Sequence, residues 1–321
     1  MRLALALCCL ASPLAAGVEE AIDDHILPAF DAFVGDTQAL SEAAQADCTA
    51  EAVKPAYQQA FDGWMGIAHL NFGPLEAEGR ALAIAFWPDK RGIVARTVAA
   101  LQSDEDAAVN DPASFAEVSV AGRGLFALER LLYETDYTAG DYACRYVQAV
   151  SADLARMGAE MRAGWTEHAR LLTGAGDNAT YLTGREAAST LYTALLAGLE
   201  FTADQRLGRP LGTFDRPRPE RAEARRSDRP LRNVVLSLEA TRGLARTLAD
   251  GPIPVTEAAY DEALRLAADL DDPLFAGVDD PAGRLKVEIL QQHVRALRTA
   301  IAAEIGAGLG LSEGFNSADG D

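Results

Sequence analysis

Gly122-Arg123-Gly124-Leu125-Phe126-Ala127-Leu128-Glu129-Arg130-Leu131-Leu132-Tyr133-Glu134 is the stretch on which the fold turns. Leu125, Leu128, Leu131 and Leu132 recur at three- and four-residue spacing, the apolar stripe of an amphipathic helix. Phe126, Glu129 and Arg130 fall on an adjoining face, one turn apart. A carboxylate bordered by Leu128, Leu132 and Tyr133 must find a partner if it is buried, because an unpaired buried charge is costly. From the residues alone, Glu129 is either an ion-paired interfacial residue, with Arg123 or Arg130 as its cation, or part of a site.

Outward from this helix the same period continues. The chain has 321 residues, rich in Ala and Leu and poor in β-branched and aromatic types, which favours helix. Helical stretches are predicted from Val18 to about Gln45, from Glu51 to Asn71 and from Ile93 to about Gln102. A central helix is opened by Asp111-Pro112, and a long one runs from Asp141 to about Leu172. In the second half they run over 184–206, 231–249, 257–270 and 284–305. Pro28 should bend or split the first. Phe72-Gly73-Pro74 ends the second. No period-two alternation suggests a sheet. The expected fold is all-α, two antiparallel four-helix-bundle-like domains over 17–175 and 180–321. The segments 72–94 and 207–234 echo one another as helix, loop and helix, consistent with an internal duplication.

Met1 to Ala16 has the parts of a secretory signal: one positive charge, a short apolar run, then small residues. Leu7 directly before Cys8 is wrong for a lipobox, so a soluble periplasmic protein is expected rather than a lipoprotein. Cys48 and Cys144 then remain as a disulfide candidate in an oxidising compartment. A net charge of −19 makes nucleic acid and anionic membranes poor partners, and cations or basic surfaces better ones.

The four histidines, His25, His69, His168 and His293, form no HExxH pair, which excludes the helical zinc-protease arrangement. There is no nucleophile elbow, phosphate loop or dinucleotide fingerprint. His69 stands on the last turn of a helix before the Gly-Pro break, where a cleft can form. The other three read as surface or packing residues. Asp89 and Asp228 precede helices and suit capping. Arg225, Arg226 and Ser227 form a donor-rich cluster able to hold a carboxylate or another anion.

Phe72-Gly73-Pro74, Trp87-Pro88-Asp89, Gly124 with Glu129 and Leu131-Leu132, Arg226-Ser227-Asp228 with Leu231-Arg232-Asn233, and Gly314 to Asp321 occur in this order. Together they resemble the imelysin-like family of iron-regulated proteins, which has been classed with the metallopeptidases. The resemblance implies an all-helical exported protein of two bundles, a link to iron uptake and its partner proteins, and a site where the bundles meet. The family's site motif is Gly-x-His-x-x-Glu. Gly124 and Glu129 match it, and Phe126 stands where the His belongs. A His and Glu at i and i+3 can chelate a metal on one helix face, whereas Phe cannot.

The expected function is therefore a non-enzymatic binding protein, taking a small ligand, metal complex or peptide in a cleft lined by His69, Asp89, Arg123, Glu129, Arg226 and Ser227. Any divalent metal or iron would fall to Glu129 and His69. Two alternatives stand beside it: a hydrolase with Glu129 as general base and His69 as ligand or acid, and a scaffold presenting its acidic surface to an iron-uptake partner.

Overall fold

The computed structural model describes residues 13–311. The secretory-signal reading of residues 1–16 and the ending Gly314–Asp321 lie wholly or largely outside that range. Within it the chain is helical throughout and no strand forms among the described residues; the one β-type contact is an isolated bridge between Thr213 and Arg216.

Helix α1 spans residues 13–46, with α-helical segments Pro13–Glu20 and Leu27–Ala46 joined through a π turn, Ala21–Ile26. Pro28 has no N–H to give and its ring crowds the preceding turn. The wider turn just before it accommodates this, with Leu27 N–H donating to the Ile22 carbonyl. Pro28 thus shifts the register of α1 without splitting it.

α2 (Ala50–Ile67) returns antiparallel along the Leu27–Ala46 segment, and α7 (Tyr142–Thr173) covers the other side. Phe30, Phe33, Tyr57, Phe61 and Trp165 are fully enclosed where the three meet. Phe30 lies 5.3 Å from Trp165, ring to ring. Each such ring supplies roughly 1.5–3 kcal/mol of burial. Cys48, in the turn between α1 and α2, is bonded to Cys144 on the first turn of α7, with a sequence separation of 96. A loop of that length contributes about 4.7 kcal/mol by restricting the unfolded chain.

The second half packs α8 (Gly184–Phe201), α9 (Pro230–Leu248), α10 (Pro254–Leu270) and α11 (Pro281–Ile301) against one another. A π turn, Thr202–Leu207, and a short helical turn, Gly208–Leu211, continue α8. The start of α1 leaves the first half and lies on α8 and α9, while α2 packs directly on α9. The two halves are therefore joined by helix packing as well as by the chain.

The helix that opened the sequence analysis is α6 (Gly124–Glu134). It begins later than the Asp111-Pro112 signal suggests. Those residues start only a short helix, α5 (Pro112–Ala116), with Asp111 capping Ser114 N–H. The break has a steric cause: Gly124 is in the left-handed region at φ +71, and a Cβ there would overlap the carbonyl oxygens of Ala83 and Ile84. The short helix α3 (Arg80–Ile84) crosses the start of α6 at that point. Gly92 is also left-handed, at φ +65, and opens α4 (Ile93–Asp104), but a Cβ there would meet open space. Gly124→Ala should therefore cost about 3 kcal/mol or more, and Gly92→Ala about 1 kcal/mol. Denaturant melts of the two variants check this, and equal losses would contradict the crossing at Gly124.

Candidate functional site

Two features aim Glu129. The α6 stripe of Leu125, Leu128 and Leu132 is buried, which turns the adjoining face toward the second half. On the other side the turn Arg225–Ser227, held between left-handed Ala224 and Asp228, presents its N–H groups to α6. Glu129 is 1% exposed. Its Oε1 accepts from the Ser227 backbone N–H at 3.1 Å and from the Ser227 hydroxyl at 2.8 Å. The Arg226 guanidinium stands 3.8 Å from Oε2. Burial pushes the Glu129 carboxyl above its usual range, against the Ser227 hydroxyl, the Arg226 charge, the Ser227 N–H and Arg130, which favour the ionised form. Arg226 and Arg130 both pair with Glu134 as well.

A buried polar seam continues from this contact along the junction. Gln58 of α2 donates to the Ser227 carbonyl and to the Tyr133 hydroxyl, each at 2.9 Å. Arg229, fully enclosed, donates to the Gln58 carbonyl at 3.1 Å and to Asp62 at 2.6 Å, and its guanidinium stacks 4.4 Å over Phe61. Its Nε reaches Asn233 at 3.1 Å, Asn233 donates to Glu223 at 3.0 Å, and Arg206 donates to the same Glu223 oxygen at 2.7 Å. Burial would raise Asp62, but hydrogen bonds from Arg232 and Arg229 hold it below the usual carboxylate range. Arg229 with Asp62 and Arg206 with Glu223 each pair a buried charge with a hydrogen-bonded counter-charge, which is what makes such burial tolerable.

The residues singled out in the sequence separate into three places. Asp89, Glu129 and Arg226 line one cavity of ≈160 Å³, with Ser227 bonded behind Glu129. There Asp89 caps α4, accepting from Ile93 and Val94 N–H at 2.9 Å each, and its carboxyl lies below the usual range because these bonds outweigh burial. His69 lines a neighbouring cavity of ≈240 Å³, which shares the Trp87 wall. Its Nε2 is 3.3 Å from His25 Nε2, and its Nδ1 is buried without a partner. Arg123 goes elsewhere: it donates to Asp153 at 2.8 Å and is not the cation of Glu129, because at the first residue before α6 its side chain runs back to α7. Asp228 makes no cap to α9, being itself in the left-handed region.

Gln58, Asp62, Arg206, Glu223 and Arg229 went unread in the sequence. The one available signal, and only for Glu223 and Arg229, was an arginine-rich loop leading into a helix start, which looks like solvated surface.

The residues about Glu129 do not make a cation site. Its Oε1 is taken up by two Ser227 donors, Phe126 packs edge-on against Phe61 at 5.7 Å, and Arg226 and Arg130 bring positive charge. Among the described residues no group of three or more His, Cys, Asp or Glu is set to hold a metal ion.

A Gly–Glu helix facing a polar junction, in a chain whose described residues form helices and no strand, defines a helical-bundle protein. The chain belongs to the imelysin family: the family's sequence profile (Peptidase_M75, Imelysin) matches residues 26–301. It is 26% identical over 207 residues to iron-regulated protein A of Synechococcus elongatus, covering 61% of this chain. The match spans 54% of that relative, about half its length. An imelysin-like protein from Psychrobacter arcticum superposes with a TM-score of 0.79 at 20% identity, over 95% of this chain and 98% of the other. A crystal structure described as an iron-regulated protein A precursor, from Parabacteroides distasonis, gives 0.72 at 12% identity, over 91% and 95%. These two likenesses bear on the fold alone.

The His25–His69 pair makes stability depend on pH. Burial lowers His25 to about 4; burial, His25 and Arg206 hold His69 well below its ordinary value. Between pH 6.5 and 4 the unfolded chain takes up protons that the folded chain refuses, so stability falls as pH drops through this window. His25 alone contributes roughly 3 kcal/mol of that loss. Imidazole NMR should show His25 titrating near 4, and His25→Gln should flatten the stability slope; a midpoint near 6.5 would contradict the buried pairing.

Proposed function

We propose that this protein is an exported, non-enzymatic binding protein of an iron-responsive uptake system, taking its ligand in the polar cavity beside Glu129. One observation carries the reading. One oxygen of the family carboxylate is held by both Ser227 donors, the other stands 3.8 Å from the Arg226 guanidinium, and the position that would supply an imidazole holds Phe126. A general base must reach a substrate proton, whereas Glu129 faces a hydroxyl and an N–H of its own chain. The name of the cyanobacterial relative supports the iron-responsive context. No helix among the described residues is long and apolar enough to cross a membrane, which accords with a periplasmic location, as does the Cys48–Cys144 bond.

The hydrolase alternative requires a metal or an acid beside Glu129. His69 lies in the adjoining cavity, tied to His25. The test is metal content and peptide cleavage by the purified mature protein, alongside Glu129→Ala. The expected result is substoichiometric iron, zinc and calcium in both proteins and no cleavage by either. Stoichiometric metal lost in Glu129→Ala, together with cleavage by the wild type, would restore the peptidase reading.

A further inference from the structure

The cavity beside Glu129 contains more positive charge than its own carboxylates neutralise. Arg130, Arg209, Arg221 and Arg226 all line it, in a chain of net charge −19. Arg130 and Arg226 are paired with Glu134. Arg209 and Arg221 have no ion pair among the described residues. The carboxylates that share the cavity are already engaged. Asp89 accepts from the N–H groups that open α4, Glu129 accepts from Ser227, and Glu220 pairs with Arg218 at 3.4 Å.

Arg209 is the more telling of the two. It stands where the short turn after α8 ends, its guanidinium 5.7 Å from the Trp87 ring centre. Its Nε is buried and has no acceptor. Burial and the Arg221 charge both work against its protonated form. A buried donor left unmade is expensive, and so are two like charges facing one cavity. An acceptor that entered would relieve both costs at once. Arginine forks match the planar, two-oxygen edge of a carboxylate, and a guanidinium beside an indole keeps its in-plane N–H groups available.

We propose that this cavity binds a small organic anion carrying two or more carboxylates, held by Arg209 and Arg221 against the Trp87 wall. Two unpaired guanidiniums call for at least two negative charges. Phe86, Trp87, Val94 and Phe126 line the same space, and these apolar walls suit a carbon skeleton better than a bare oxyanion. At ≈160 Å³ the space is about half the lower bound of the roughly 300–1,000 Å³ typical of drug-sized ligands, which limits the occupant to the size of a small metabolite. Phe126, which removes the imidazole, thereby completes an apolar wall in place of a cation ligand.

This inference rests on the binding-protein reading. It is tested with the mature protein, citrate as the polycarboxylate probe and inorganic phosphate as the bare-oxyanion probe, by calorimetric titration and thermal melts. Citrate should bind and raise Tm by about 5 °C or more at a concentration on the order of 100 Kd. Arg221→Ala, on an exposed residue, and Arg209→Met, which keeps much of the side-chain bulk, should each weaken citrate about tenfold or more. Circular dichroism establishes that both variants are folded. No citrate binding by the wild type, or equal binding by the wild type and the double variant, would overturn the site. Phosphate binding as tight as citrate would overturn the organic ligand class. Peptide cleavage by the same wild-type preparation would defeat the binding-protein reading itself, whereas a cleavage-free protein indifferent to citrate would defeat only the ligand.

Discussion

The junction depends on one buried contact, the Glu129 carboxylate on the hydroxyl and N–H of Ser227. It joins α6 of the first half to the turn that leads into α9. Burying a carboxylate is unfavourable unless its lone pairs are met, so the turn must hold its two donors where α6 delivers the acid. The left-handed residues Ala224 and Asp228 shape that turn. The Ser227 carbonyl then points back to Gln58, and Gln58 positions Arg229. Each link satisfies a polar group that the previous link buried. A network of this kind specifies one relative placement of the halves more than it adds stability, since apolar packing of the same volume serves stability as well or better.

Much of the helical scaffold was legible because it depends on local pattern. The 3.6-residue period located α1, α2 and α7 to α11 within a few residues, and two cysteines in an exported-looking chain gave the disulfide. The start of α6 was not legible. Asp111-Pro112 is a sound local start signal, and it opens a real short helix, but the close crossing of Ala83 and Ile84 over Gly124 is a tertiary fact with no local trace. The π turn before Pro28 is similar: the proline announced a disturbance, and the packing decided that the helix would shift instead of break.

The site was legible in part. Asp89, Glu129, Arg226 and Ser227 do come together, all four at positions within the motifs that carried the family resemblance. Arg123 and Arg130 were the candidate partners by proximity in sequence, yet Arg130 pairs with Glu134, and Arg123 pairs with Asp153 on α7, because sequence neighbours at a helix start diverge in direction. His69 found its partner in His25, 44 residues away, on a helix whose charged neighbours suggested surface. Arg229 is the sharpest case. An arginine in an Arg- and Pro-rich loop reads as solvated, and here it is fully enclosed between Phe61, Asp62 and Asn233.

The central claim is that Glu129 is a structural tie across the junction. A double-mutant cycle on thermodynamic stability tests it most directly, with Glu129→Ala, Ser227→Ala and the double variant measured under identical conditions. The tie predicts a coupling energy of about 1–2 kcal/mol between the two positions, with the double variant losing less than the sum of the singles. Additive losses, within about 0.5 kcal/mol, would contradict it and leave the carboxylate free for another role.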